Sequence, residues 1–152
     1  MIVVIASTVA IADTGMRTVI ELVEARYAVR HHGIPGLWLA KPLLIGSGVG
    51  RLKIAEFTSF HMPPQDSYSL KQELRRSLGP EWHSFVQEQT KGDGRWSVIY
   101  AKANDKGLGM LIIESEPGGD FTVVQMNLSG DALHRWLAQP LQNAEHKISH
   151  HE

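Results

Sequence analysis

Residues 95–128 decide the fold and read RWSVIYAKANDKGLGMLIIESEPGGDFTVVQMNL. Apolar side chains alternate along three runs, as in Trp96, Val98 and Tyr100, and this period of two predicts strands with one buried face. Turns rich in glycine, asparagine and aspartate separate the runs. A polar run precedes them, and short turns join antiparallel neighbours, so the stretch predicts a four-stranded meander. The four predicted strands are 84–90, 95–103, 108–115 and 121–128.

Helical periodicity flanks the meander on both sides. Met16, Ile20, Val23 and Tyr27 form one apolar stripe, which predicts a helix over residues 13–31. A second stripe, Leu70, Leu74 and Leu78, predicts a helix that begins at 66 or 67 and ends at Gly79-Pro80. A fifth strand is predicted at 51–60, and a last helix begins at 129 or 131. The fold class is therefore α+β: a two-layer structure with a mostly antiparallel sheet, one strand plus the four-stranded meander, and helices against one face.

Length and composition indicate one domain that needs no disulfide or structural metal to fold. The chain has 152 residues, of which 43% are hydrophobic and 20% charged, and its formal net charge is -1. It contains no cysteine, which excludes disulfides and thiolate metal sites. The basic residues form no stripe, so nucleic acid is not an expected partner. No cofactor is predicted.

The N-terminal segment has two interpretations. Residues 2–12 read IVVIASTVAIA, an apolar run too short to span a bilayer. Its end, Ala10-Ile11-Ala12, has the small-x-small pattern of a signal-peptidase site, although no positive residues precede the run. We therefore expect residues 1–12 to be a signal-peptide remnant of an exported, periplasmic protein; the alternative is a buried strand of a cytoplasmic protein. Residues 13–142 form the single α+β domain, and 143–152 a polar, histidine-containing tail.

Two segments carry candidate binding residues. Trp38, Leu39 and Leu43 lie in a glycine- and proline-rich segment, and an apolar loop beside a sheet is an expected surface for a protein partner or a small apolar ligand. His146 and His150 would share a face of a helical tail, which makes them weak candidates for binding a metal. No set of residues with the pattern of a catalytic site is present.

Four segments of the C-terminal half carry a family resemblance. They read WHSFV at 82–86, SVIY at 97–100, GLGMLII at 107–113 and FTVV at 121–124. The succession resembles a bacterial domain-of-unknown-function family of small, often exported proteins, over about residues 52–137. The chain departs from the family pattern at 125–127. The resemblance implies an exported, non-enzymatic α+β domain and carries over no active-site residue.

Three functional hypotheses follow. The first is a non-catalytic binding or interaction module of the bacterial envelope. The second is a cytoplasmic regulatory protein that acts through a protein partner. The third is a small metal-dependent hydrolase, which would require His61, His83 and Glu81 to converge in the fold. An exposed sheet edge or the apolar loop is also compatible with a homodimer.

Overall fold

The structure is a computed structural model, and it describes residues 14–33, 47–58, 60, 62–63, 65–89, 94–116, 119–135 and 138. Two helices and six strands lie within these ranges, and residues 130–135 add a short helix. The elements are α1 (Thr14–Tyr27), β1 (His32–Gly33), β2 (Val49–Phe57), α2 (Asp66–Leu78), β3 (His83–Gln89), β4 (Trp96–Asn104), β5 (Gly107–Ser115) and β6 (Phe121–Ser129).

The described strands form one antiparallel sheet in the order β1-β2-β6-β5-β4-β3. The predicted meander is confirmed as β3 to β6, and the predicted single strand is β2, which pairs with β6. The two-residue strand β1 was not predicted, because a strand that short has no periodicity to detect. The α+β fold class with a mostly antiparallel sheet is confirmed.

The two longer helices cover the inner face of the sheet, the face that carries the main core. Met16, Val19 and Val23 of α1 and Leu70 and Leu74 of α2 are buried there. Each such side chain contributes about 1.5–3 kcal/mol by leaving water. Helix α1 is four residues shorter at its C-terminal end than the predicted 13–31, since the chain leaves the helix after Tyr27 and the next residue has a φ of 52°. None of the described helices is long and apolar enough to cross a membrane.

An aromatic cluster closes one end of this core. The ring of Phe121 lies 5.8 Å from that of Phe57, 5.6 Å from that of Phe60 and 6.0 Å from that of Trp96, each in an edge-to-face arrangement. Aromatic pairs of this geometry contribute about 0.5–1.5 kcal/mol beyond the burial of their area. This end of the inner face is therefore closely packed.

The short helix at 130–135 lies against the opposite, outer face. Ala132 packs there with Met110 and Leu128, and Leu133 packs at the margin of the same cluster. The Ser129 hydroxyl accepts the N–H of Ala132 at 3.2 Å, which caps the helix at the end of β6 as the sequence predicts. The helices thus divide between the faces: α1 and α2 pack together on one, and the last helix covers apolar residues on the other.

Candidate ligand-binding site

The inner face of the sheet changes character along its strands. On β4 the inward positions are Trp96, Val98 and Tyr100, all buried, followed by Lys102 and Asn104. The inward positions of β6 change in the same way, from phenylalanine and valine at 121 and 123 to polar side chains at 125, 127 and 129. Because the strands are antiparallel and in register, the polar ends of β4 and β6 lie at the same end of the sheet.

A glycine leaves this polar end open. The register places Gly109 of β5 between Lys102 of β4 and Asn127 of β6. The next inward positions along β5, which lie closer to the core, are Leu111 and Ile113, and they fill the space below the helices. Gly109 has no side chain to continue that packing, so the core stops there.

A cavity of about 430 Å³ occupies the space. This volume lies within the range of about 300–1,000 Å³ that small-molecule sites have. Its lining comes from β2, β4, β5, β6, the β4–β5 turn and the residue before β3. The lining residues are Gly48, Gly50, Arg51, Trp82, Lys102, Asn104, Asp105, Lys106, Gly109, Gln125, Asn127, Leu128 and Ser129.

The first turn of α1 is fixed beside this cavity by two contacts. The backbone N–H of Met16 donates to Oε1 of Gln125 at 2.8 Å, and Gln125 is only 5% exposed. Gly15 packs so closely on the Trp82 indole that a methyl group there would lie 2.7 Å from Cζ2. The buried glutamine and the glycine therefore hold α1, β6 and Trp82 in one arrangement.

Lys102 connects the polar lining to Trp82. Its Nζ lies 2.6 Å from Oε2 of Glu81 and 6.0 Å from the centre of the Trp82 ring. The hydrogen bond from Lys102 lowers the pKa of the Glu81 carboxyl. The Glu81 side chain is 67% exposed, so this is a surface ion pair whose attraction is screened by solvent.

Arg51 lies at an irregularity of β2. Gly50 pairs with Asn127 and Lys53 with Gln125, so two residues of β2 oppose one residue of β6 in a β-bulge. The φ of Arg51 is 50°, in the left-handed region. A bulge with its first residue in this region usually has glycine there. An arginine in this conformation is uncommon, and such outliers cluster at functional sites.

The binding residues predicted from sequence fall in segments that the structure does not describe. Trp38, Leu39 and Leu43 lie outside the described residues, as do His146 and His150. The predicted signal-peptide remnant at 1–12 lies outside them too. The interaction surface and the weak metal site therefore stay predictions.

The hydrolase hypothesis gains no geometric support. Within the described ranges, no group of three or more histidine, aspartate or glutamate side chains could hold a metal ion. His61, one of the three residues that this hypothesis needs, lies outside those ranges.

The edge strand β3 carries the residue most relevant to the predicted homodimer. Phe85 is 60% exposed and lies where the β3–β4 register shifts. The register shift distorts the edge, which disfavours pairing with another strand. The homodimer stays a prediction.

The sequence contained a signal for the cavity. Period-two alternation assigns Lys102 and Asn104 to the same face as Trp96, Val98 and Tyr100. Polar residues that continue an apolar face mark the point where the core ends. What the sequence does not show is that the neighbouring strands end their cores at the same level, since this depends on the register.

Comparisons of the chain with family models, with curated proteins and with solved structures found no match. The resemblance to the exported bacterial family stays an expectation from the sequence.

Proposed function

We propose that this domain is a non-catalytic binding module and that the cavity at the polar end of the sheet holds a small molecule. The observation that carries the proposal is Arg51, held in a left-handed conformation at a β-bulge and forming part of the cavity lining. A bulge re-aims a side chain, and backbone strain persists where the surrounding structure imposes it. Ligand binding is the function that such an arrangement serves.

The composition of the lining supports binding in preference to catalysis. Its polar groups include three side-chain amides, Asn104, Gln125 and Asn127, which donate and accept hydrogen bonds without exchanging protons. Asp105 is the carboxylate among the described lining residues, and no histidine accompanies it. Histidine is the residue that general acid–base catalysis uses most often, and none is among the described lining residues.

A fragment screen tests the proposal directly. We expect small polar fragments to shift the backbone amide resonances of residues 50–51, 102–106 and 125–129 in NMR spectra of the labelled domain. Gly109→Val is the blocking variant, because a Cβ at Gly109 meets no atom closer than 3.5 Å and its methyls would occupy the cavity. Ala103→Val is the matched control, since Ala103 is exposed on the other face of β4.

The two variants give the screen a clear outcome. Binding that weakens about tenfold or more in Gly109→Val and is unchanged in Ala103→Val supports the cavity, because filling a pocket removes the contacts that a ligand makes there. Fragment shifts that persist in Gly109→Val, or that cluster around Phe85 and Tyr68 instead, would show that the domain binds elsewhere.

Location in the bacterial envelope is a second part of the proposal. It rests on the Ala10-Ile11-Ala12 pattern and on the family resemblance. The intact mass of native protein from fractionated cells tests it. A chain that begins at Asp13 in the envelope fraction supports export, whereas a chain that begins at Met1 in the cytosol would favour the regulatory hypothesis.

A further inference from the structure

The charged side chains in the lining of the cavity are mostly cationic. Arg51, Lys102 and Lys106 are three cations, and Asp105 is the one carboxylate among the described lining residues. The whole chain has a formal net charge of -1. The excess of positive charge at the cavity is therefore local, and it favours an anionic ligand.

Arg51 is the cation whose position the backbone determines. The bulge places Arg51 in a backbone conformation that glycine would adopt without strain. The glycine beside it, Gly50, is not the residue that has the positive φ. The planar guanidinium of arginine matches a carboxylate with two parallel hydrogen bonds. An arginine at this strained position is explained if its side chain binds an acid group.

Lys102 offers a second positive charge that a ligand can share. Its partner Glu81 is mostly exposed, so the ion pair is weak and open to exchange with another anion. An acid group bound between Arg51 and Lys102 would replace a solvated partner with one that bonds to two cations.

The apolar part of the lining defines the rest of the ligand. Trp82 offers a flat indole that Gly15 holds in place. Flat aromatic surfaces pack favourably against planar rings. Asn104 and Asn127 provide further hydrogen-bonding groups in the lining.

We infer that the ligand of this cavity is a small aromatic carboxylate, with its acid group on Arg51 and Lys102 and its ring against Trp82. This inference rests on the proposed function and adds the chemical class of the ligand.

Cinnamate and cinnamyl alcohol provide a matched pair of probes, since they share a planar body and differ in the acid group. We expect isothermal titration to show cinnamate binding about tenfold or more tightly than the alcohol, because charge-assisted hydrogen bonds are roughly twice as strong as neutral ones. Raising the salt concentration should weaken cinnamate binding and leave the alcohol unaffected.

Variants of Arg51 separate binding from folding. Arg51→Gly removes the guanidinium and suits the left-handed backbone, so we expect a thermal midpoint equal to or above that of the parent together with about tenfold weaker cinnamate binding. Lys102→Gln should also weaken cinnamate binding. Arg76→Gln is the control, because Arg76 is exposed on α2 and is not part of the lining.

The outcomes distinguish this inference from the proposed function. If the alcohol binds as tightly as cinnamate and Arg51→Gly changes neither affinity, the cavity binds ligands but not through an acid group, and the inference is wrong. If neither probe binds and the fragments that reach the cavity are neutral, the inference is again wrong. If no fragment shifts the cavity resonances, the proposed function itself fails.

Discussion

Gly107 and Gly109 lie two residues apart on β5 and should respond oppositely to the same substitution. A Cβ at Gly107 would lie 2.0 Å from the carbonyl oxygen of Leu128, and the φ of Gly107 is 147°. A Cβ at Gly109 would meet nothing closer than 3.5 Å, an ordinary contact distance. The difference arises because Gly107 pairs with Ser129 at the end of β6, where the two backbones approach closely.

The expected magnitudes follow from these contacts. For Gly107→Ala, a sparsely populated backbone conformation costs about 1–3 kcal/mol. Forcing a methyl group into occupied space costs about a further 1–3 kcal/mol. We therefore expect the free energy of unfolding to fall by about 2–6 kcal/mol. Gly109→Ala should leave it unchanged or raise it by about 0.4–1 kcal/mol, because alanine restricts the unfolded chain.

Urea unfolding followed by circular dichroism measures both variants under the same conditions. Equal slopes of the unfolding free energy against urea concentration would show that both variants expose the same surface area on unfolding. The midpoints then compare their stabilities directly. The reasoning is refuted if Gly107→Ala loses less than about 1 kcal/mol, or if Gly109→Ala is destabilised as much as Gly107→Ala.

Three further predictions concern the core, a helix cap and alkaline pH. Leu111→Ala removes a fully buried side chain and should lower the free energy of unfolding, measured in urea, by about 2–5 kcal/mol. Leu108→Ala, at a partly buried position, should lower it less, and equal losses would contradict the assigned faces of β5. Ser129→Ala removes the hydroxyl that accepts the Ala132 N–H and should lower stability by about 1 kcal/mol, whereas Ser77→Ala on the exposed side of α2 should have little effect; a similar small change in both would argue against the cap. Burial raises the pKa of the Tyr100 phenol, so the folded state holds this proton more tightly than the unfolded chain does. Stability should therefore fall as the pH rises above the unfolded pKa of about 10. Tyr100→Phe should reduce that loss in a pH series of thermal midpoints, and an unchanged pH dependence would show that Tyr100 does not cause it.

The strands could be predicted from sequence because each carries its own evidence. Trp96, Val98 and Tyr100 alternate with less apolar residues, and all three are buried as the alternation requires. On β5 both faces are apolar, so alternation alone does not identify Leu111 and Ile113 as the inner residues. Short turns then leave antiparallel pairing as the simplest connection. Local patterns of this kind need no knowledge of distant residues.

The position of the single strand and the division of the helices were harder to predict. Strand β2 pairs with β6, which is more than sixty residues away along the chain. Such pairing depends on which faces must be buried together, and no local pattern encodes it. The last helix packs on the outer face because Met110 and Leu128 present apolar surface there, at the end of β6 where the helix begins.

The candidate site shows the same division. Period-two alternation is the local signal that places Lys102, Gln125 and Asn127 on the same side of their strands as the core residues before them. The prediction that Trp38, Leu39 and Leu43 form an interaction surface also rests on local composition, and it stays a prediction.

The sequence by itself determined an antiparallel α+β domain and most of its elements, because periodicity and turn residues act over a few positions. Only the tertiary structure decided that the inward polar residues of β4 and β6 meet beside Gly109, and that a bulge places Arg51 in the same lining. The physical reason is register: one residue of slip moves a side chain to the other face of the sheet, and register is fixed by the packing of the whole core.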